Sequence, residues 1–76
     1  MILYHGSPKI IDDVGIKSGT YFTEDIEIAI SYGRYVYKID VSDDKMNAFI
    51  RGFLGEHWIN NGIIPIYEFE VIDSYK

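Results

Sequence analysis

Gly19-Thr20-Tyr21-Phe22-Thr23-Glu24-Asp25-Ile26-Glu27-Ile28-Ala29-Ile30-Ser31-Tyr32-Gly33 is the stretch from which the fold can be read outward. Thr20-Tyr21-Phe22 is β-prone and lies between Gly19 and Thr23, which predicts a short strand. Thr23 is a good N-cap, and Glu24, Asp25 and Glu27 place negative charge on the first turn, where the helix dipole favours it. Ile26, Ala29 and Ile30 share one face at helical spacing. Gly33 is placed to end the helix in a left-handed cap. Tyr21 therefore stands just before the helix, and Tyr32 in its last turn.

Working outward, the apolar run of residues 1–4 predicts a first strand, stopped by His5-Gly6-Ser7-Pro8. Pro8 biases Ser7 toward extended backbone, which puts His5 at the strand's end. Ile10, Ile11, Val14 and Ile16, interrupted by Asp12-Asp13 and Gly15, read as a loop with apolar anchors. Residues 35–41 alternate, with Tyr35, Tyr37, Ile39 and Val41 on the core face of a strand. Ser42-Asp43-Asp44 signals a helix start, and Met46, Phe49, Ile50, Phe53 and Leu54 recur at helical spacing. Gly52 and Gly55 weaken that helix and divide it. Asn60-Asn61-Gly62 is a turn signal. Residues 64–72 read as one long strand, with Pro65 tolerated at its start. The expectation is one α+β domain over residues 1–76, with about four short strands and two helices.

Seventy-six residues make a single small domain, and such a domain buries only about 60% of the surface its unfolded chain exposes. No Cys is present, which excludes disulfides and thiolate metal sites. A hydrophobic fraction of 47% supports a packed core rather than disorder. Seven Tyr supply apolar area with a polar handle for ligands or partners. The net charge of −5, without a Lys/Arg cluster, argues against direct nucleic-acid binding. No apolar run reaches the length of a membrane span and no leader opens the chain, so the expected compartment is the cytoplasm.

Tyr4-His5-Gly6-Ser7, then Gly19-Thr20-Tyr21-Phe22, then Ala29-x-x-Tyr32 before a β-rich stretch, resembles the ADP-ribosyltransferase fold of the poly(ADP-ribose) polymerase and diphtheria-toxin-like class. The resemblance covers residues 3–41 and implies a miniature core with a cleft for NAD. It matches His5 to the His that hydrogen-bonds the adenosine-side ribose. Gly6 matches the residue whose backbone holds the nicotinamide amide, with Ser7 beside it, and Tyr21 and Tyr32 match the rings that flank nicotinamide. Each role suits its residue: imidazole donates and accepts, Gly admits close approach, and Tyr offers a stacking face. Ala29 replaces the small hydroxyl residue of the polymerases, so one ligand hydrogen bond is lost. The catalytic carboxylate should lie on a late strand, where Glu68 is the first match and Glu70, on the same strand face, the second. No further strand follows, so the chain looks like the NAD-facing core with the remainder trimmed.

The resemblance implies a mono-ADP-ribosyltransferase-like protein that uses NAD as substrate and modifies a protein or other macromolecular acceptor, as a phage or mobile-element effector would. A second reading keeps the fold without the chemistry: an acidic, protein-binding inhibitor of a host complex, such as a defence complex, acting by charge complementarity. A third is a non-reacting reader of NAD or ADP-ribose. A protein target is expected, and two copies could pair through the last strand. Each residue also has an ordinary structural role available: His5 as a turn cap, Tyr21 and Tyr32 as packing aromatics, Glu68 and Glu70 as a solvated strand face. His57 and Trp58 read as helix-end packing. Asp12-Asp13 and Asp43-Asp44 read as loop solvation and a helix start rather than a cation site.

Overall fold

The computed structural model of the chain describes residues 1–11, 15–52 and 58–72. The elements run β1 (Ile2–Ser7), β2 (Gly15–Ile16), β3 (Tyr21–Phe22), α1 (Ile26–Tyr32) and β4 (Tyr35–Asp40). A 3-10 helix (Asp43–Ala48), β5 (Phe49–Arg51), β6 (Trp58–Asn60), β7 (Ile64–Pro65), a second 3-10 helix (Ile66–Glu68) and β8 (Glu70–Ile72) follow. The class is α+β, but the strands are more numerous and shorter than the sequence suggests.

Among the described residues, three small sheets share one core. In the first, β1 pairs antiparallel with β4 and β4 with β8; in the second, β2 pairs with β7; in the third, β6 lies between β3 and β5. Phe22 is the hub of that core. Its ring meets Phe49 edge-on at 5.4 Å and lies nearly parallel to Phe69 at 6.0 Å, and Phe69 in turn meets Tyr37 edge-on at 6.3 Å. Such offsets suit the aromatic quadrupole. The buried Tyr37 keeps its polar tip satisfied, its hydroxyl accepting from the Ile11 amide at 2.6 Å. Helix α1 covers the opposite face of β1 and β4, where Val36 and Ala29 are fully buried. Tyr35–Asp40 thus forms the expected strand one residue short of its predicted end, and it buries residues on both faces.

Several boundaries differ from those the sequence suggests, each because tertiary pairing overrides a local signal. Strand β1 continues through His5 and Gly6 to Ser7, because Gly6 pairs with Val36 and Ser7 with Tyr35. His5 is therefore inside the strand. Thr23 is not the helix cap: its amide and carbonyl both bond Tyr4, which holds it extended. Asp25 caps instead, accepting from the Glu27 amide at 2.9 Å. Gly33 ends α1 with extended backbone (φ 167°), not in a left-handed cap. It must be Gly because a Cβ there would collide with the Ser7 backbone. The loop at Ile16 forms the short strand β2, with Ile16 buried.

Two further corrections bear on the site. The predicted helix through Met46, Phe49 and Ile50 is a 3-10 helix followed by β5, because Phe49–Arg51 pairs with β6. Residues 53–57, including Phe53, Leu54 and His57, lie outside the described residues, as do Asp12, Asp13 and Val14. Trp58 belongs to strand β6 rather than to a helix end. The long strand at 64–72 is broken by the 3-10 helix at Ile66–Glu68, so Glu68 and Glu70 do not share a strand face. Strand β8 forms one edge of its sheet, with Val71 half exposed. Among the described residues no helix is long and apolar enough to cross a membrane.

Candidate functional site

The first and third sheets touch through one bridge, Tyr4 to Thr23, and diverge beyond it. Tyr4 donates to the Thr23 carbonyl at 2.8 Å and accepts from the Thr23 amide at 2.9 Å. Past that bridge a cleft of about 620 Å³ opens between β1, β3 and the last turn of α1. His5, Gly6, Tyr21 and Tyr32, four of the five residues expected to bind the cofactor, line it together with Tyr4 and Ala29. Its size falls within the ordinary range for small-molecule sites.

His5 sits where the strands part. Its Nδ1 lies 2.9 Å from the Tyr21 carbonyl oxygen. A carbonyl oxygen only accepts, so Nδ1 carries the proton in that bond. Partial burial lowers the His5 pKa below its ordinary 6.5, and the Tyr21 carbonyl opposes that shift more weakly. The ring is thus neutral at pH 7, with Nε2 left as an acceptor suited to a ligand hydroxyl.

Gly6 offers a second anchor. In an antiparallel ladder, the peptide groups of alternate residues point to opposite sides of the strand. The groups of Tyr4 point away from β4 to Thr23, so those of Gly6 point to that same side. There the strands have separated, and among the described residues neither the Gly6 amide nor its carbonyl has a backbone partner. A donor and an acceptor side by side on a strand edge match the two hydrogen-bonding groups of a primary carboxamide. The absence of a side chain at Gly6 has a further cause: a Cβ would collide with the Ala29 carbonyl oxygen of α1.

Tyr21 and Tyr32, both lining the cleft, are each more than half exposed, at 57% and 58%. Neither side chain is part of the core. Ser7 is not part of the lining. Its hydroxyl donates to the Lys9 carbonyl at 2.6 Å and accepts from the Lys9 amide at 3.2 Å, which closes the turn at Pro8.

The two expected catalytic carboxylates lie elsewhere. Glu68, on the second 3-10 helix, borders a different cavity. Glu70 faces Lys38 across β8 and β4, Oε1 3.9 Å from Nζ, and is absent from the cleft wall. Glu24 follows Thr23 directly but is turned to Trp58, whose Nε1 donates to it at 3.1 Å, and to Arg51 at 3.7 Å. Among the described residues no carboxylate and no cation lines the cleft, and no cluster suited to a metal ion exists.

One supporting residue carries no sequence signal beyond a turn. Asn60 is buried, and its side chain accepts from the Thr20 amide at 2.8 Å while donating to the carbonyls of Ile16, Lys17 and Gly62 at 3.3, 2.9 and 3.0 Å. Its backbone carbonyl also accepts from the Gly19 amide. The Gly19-Thr20 wall of the cleft therefore hangs on Asn60.

No known protein family, curated protein or solved structure matches this chain.

Proposed function

We propose that the chain is a miniature ADP-ribosyltransferase-like domain that binds the nicotinamide riboside half of NAD in the cleft between β1 and β3. The observation that carries this reading is that, among the described residues, the Gly6 amide and carbonyl have no backbone partner, in a cleft also lined by His5, Tyr21 and Tyr32. The carboxamide would pair with Gly6, the ring would lie against tyrosine, and a ribose hydroxyl would donate to Nε2 of His5. Among the described residues no cation lines the cleft, and in this reading the pyrophosphate would extend into solvent.

Transfer of ADP-ribose to an acceptor needs a carboxylate beside the developing oxocarbenium charge. The cleft wall described here supplies none, and this observation favours a second reading, in which the domain binds without reacting and acts on a protein partner. Pairing of two copies at the exposed β8 edge would fit either reading.

Calorimetric titration with NAD and with nicotinamide riboside, on the native protein and on Tyr32→Ala, tests the proposal. Saturable binding of both ligands, lost in a folded Tyr32→Ala, supports it. Absence of binding at millimolar ligand overturns it. Transfer of labelled ADP-ribose to lysate proteins would separate the enzymatic reading from the binding one.

A further inference from the structure

A second cavity, of about 730 Å³, opens where the end of β4 meets the first 3-10 helix and β7, and it shares no lining residue with the cleft. Its floor reaches the core at Val41, Phe49 and Ile64, and Ile63 stands on its wall 62% exposed. An isoleucine so far out of the core, beside an open apolar floor, leaves a surface that a partner's side chain would cover.

The charges around this groove have one sign in excess. Among the described residues Asp40, Asp44 and Glu68 line it, with Lys45 as the one lining cation. Asp40 faces the N-terminal ammonium at 3.6 Å and remains largely exposed. Asp44 accepts from the Ser42 hydroxyl at 2.6 Å. Among the described residues the Glu68 carboxylate makes no hydrogen bond or ion pair. The three carboxylates do not form a cluster that could hold a metal ion. Acids spread around an apolar floor complement an extended ligand that is cationic and aliphatic along its length, and the net charge of −5 would steer such a ligand inward.

We propose that this groove binds a basic, amphipathic segment of a partner protein. An aliphatic side chain packs against Val41, Phe49 and Ile64, while flanking Arg or Lys side chains meet Asp40, Asp44 and Glu68. This surface is independent of the cleft, so it does not depend on whether the chain binds NAD.

The test is fluorescence anisotropy with a labelled peptide of alternating Arg and Leu. A peptide of alternating Arg and Ser with equal charge, and spermine, serve as competitors. Saturable binding is expected, weakened about tenfold or more in Glu68→Lys and in Ile63→Ser. Both positions are exposed, and circular dichroism checks that each variant folds. Equal competition by the Arg/Ser peptide or by spermine would mean attraction by charge alone and would overturn the proposal. So would an affinity unchanged in both folded variants, or no saturation with the Arg/Leu peptide.

Discussion

Nδ1 of His5 lies 2.9 Å from the carbonyl oxygen of Tyr21, a side-chain bond that spans the point where β1 and β3 stop pairing. One residue earlier on β1, the backbone itself makes the connection, from Tyr4 to Thr23. The imidazole continues the link across a gap that the ladder no longer closes, and the cleft exists because that link is longer than a backbone pair. His5 thereby shapes the site and offers Nε2 to a ligand.

Acid should weaken the fold through this residue. The His5 pKa in the folded protein lies below the ordinary 6.5 because burial disfavours the charged ring. As pH falls, the unfolded chain takes up the proton first, so stability present above about pH 6.5 is lost as pH drops through the folded-state value. Urea midpoints measured from about pH 7.5 down to 5 should fall for the native protein. His5→Asn retains a donor near the Nδ1 position without a titrating ring. It should lose the His5 part of that slope, and a slope identical to the native one would exclude His5 as its source.

Glu68→Gln and Glu70→Gln should bind NAD as the native protein does. Neither residue lines the cleft: Glu68 borders the second cavity and Glu70 faces Lys38. The exposed pair of Glu70 and Lys38 contributes at most about 1 kcal/mol to the fold, so both variants should also melt near the native temperature. A tenfold loss of NAD affinity in either one would mean that its carboxylate reaches the ligand after all.

Gly6→Ala should damage the packing of α1 on β1 rather than the strand. A Cβ at that position meets the Ala29 carbonyl oxygen, a backbone atom that cannot rotate aside. Overpacking of this kind costs about 1–3 kcal/mol, and in a domain this small each kcal/mol lowers Tm by about 4–8 °C. A melting temperature unchanged in Gly6→Ala would show that the helix can move away freely.

The strand at Tyr21-Phe22, the helix after it and the strand at residues 35–40 are legible because local pattern and tertiary pairing agree there. His5, Gly6, Tyr21 and Tyr32 stand together in one cleft because β1, β3 and α1 carry them there, and those early elements are marked by local pattern. The second half is not legible in that way. Met46, Phe49 and Ile50 have helical spacing, yet β6 offers hydrogen-bond partners to Phe49–Arg51 and the strand forms instead. Residues 64–72 have strand composition, but the chain pairs first with β2 and later with β4, and it must turn between them at Ile66–Glu68. Pairing with strands distant in sequence leaves no periodic trace, which is why the sequence alone places Glu68 on a strand face that does not exist.

Asn60 provides the severest test of how the cleft is held. Its amide oxygen faces the Thr20 amide and its nitrogen faces three carbonyls, so the side chain is polarised in one sense only. Asn60→Ala removes these bonds together and leaves the Thr20 amide and the buried Ile16 carbonyl without their Asn60 partner, at a cost of about 1–3 kcal/mol. Asn60→Asp should be worse despite its nearly identical shape, because it turns a carboxylate oxygen toward the carbonyls of Ile16, Lys17 and Gly62 in a site where Asn60 is only 1% exposed. That ordering reverses what size alone predicts. Urea unfolding at neutral pH measures it directly, and an Asn60→Asp variant as stable as Asn60→Ala would show that the side chain is not the donor to those carbonyls. Protonation should bring Asn60→Asp partway back, since a neutral carboxyl regains one donor. The gap between the two variants should therefore narrow as the pH is lowered.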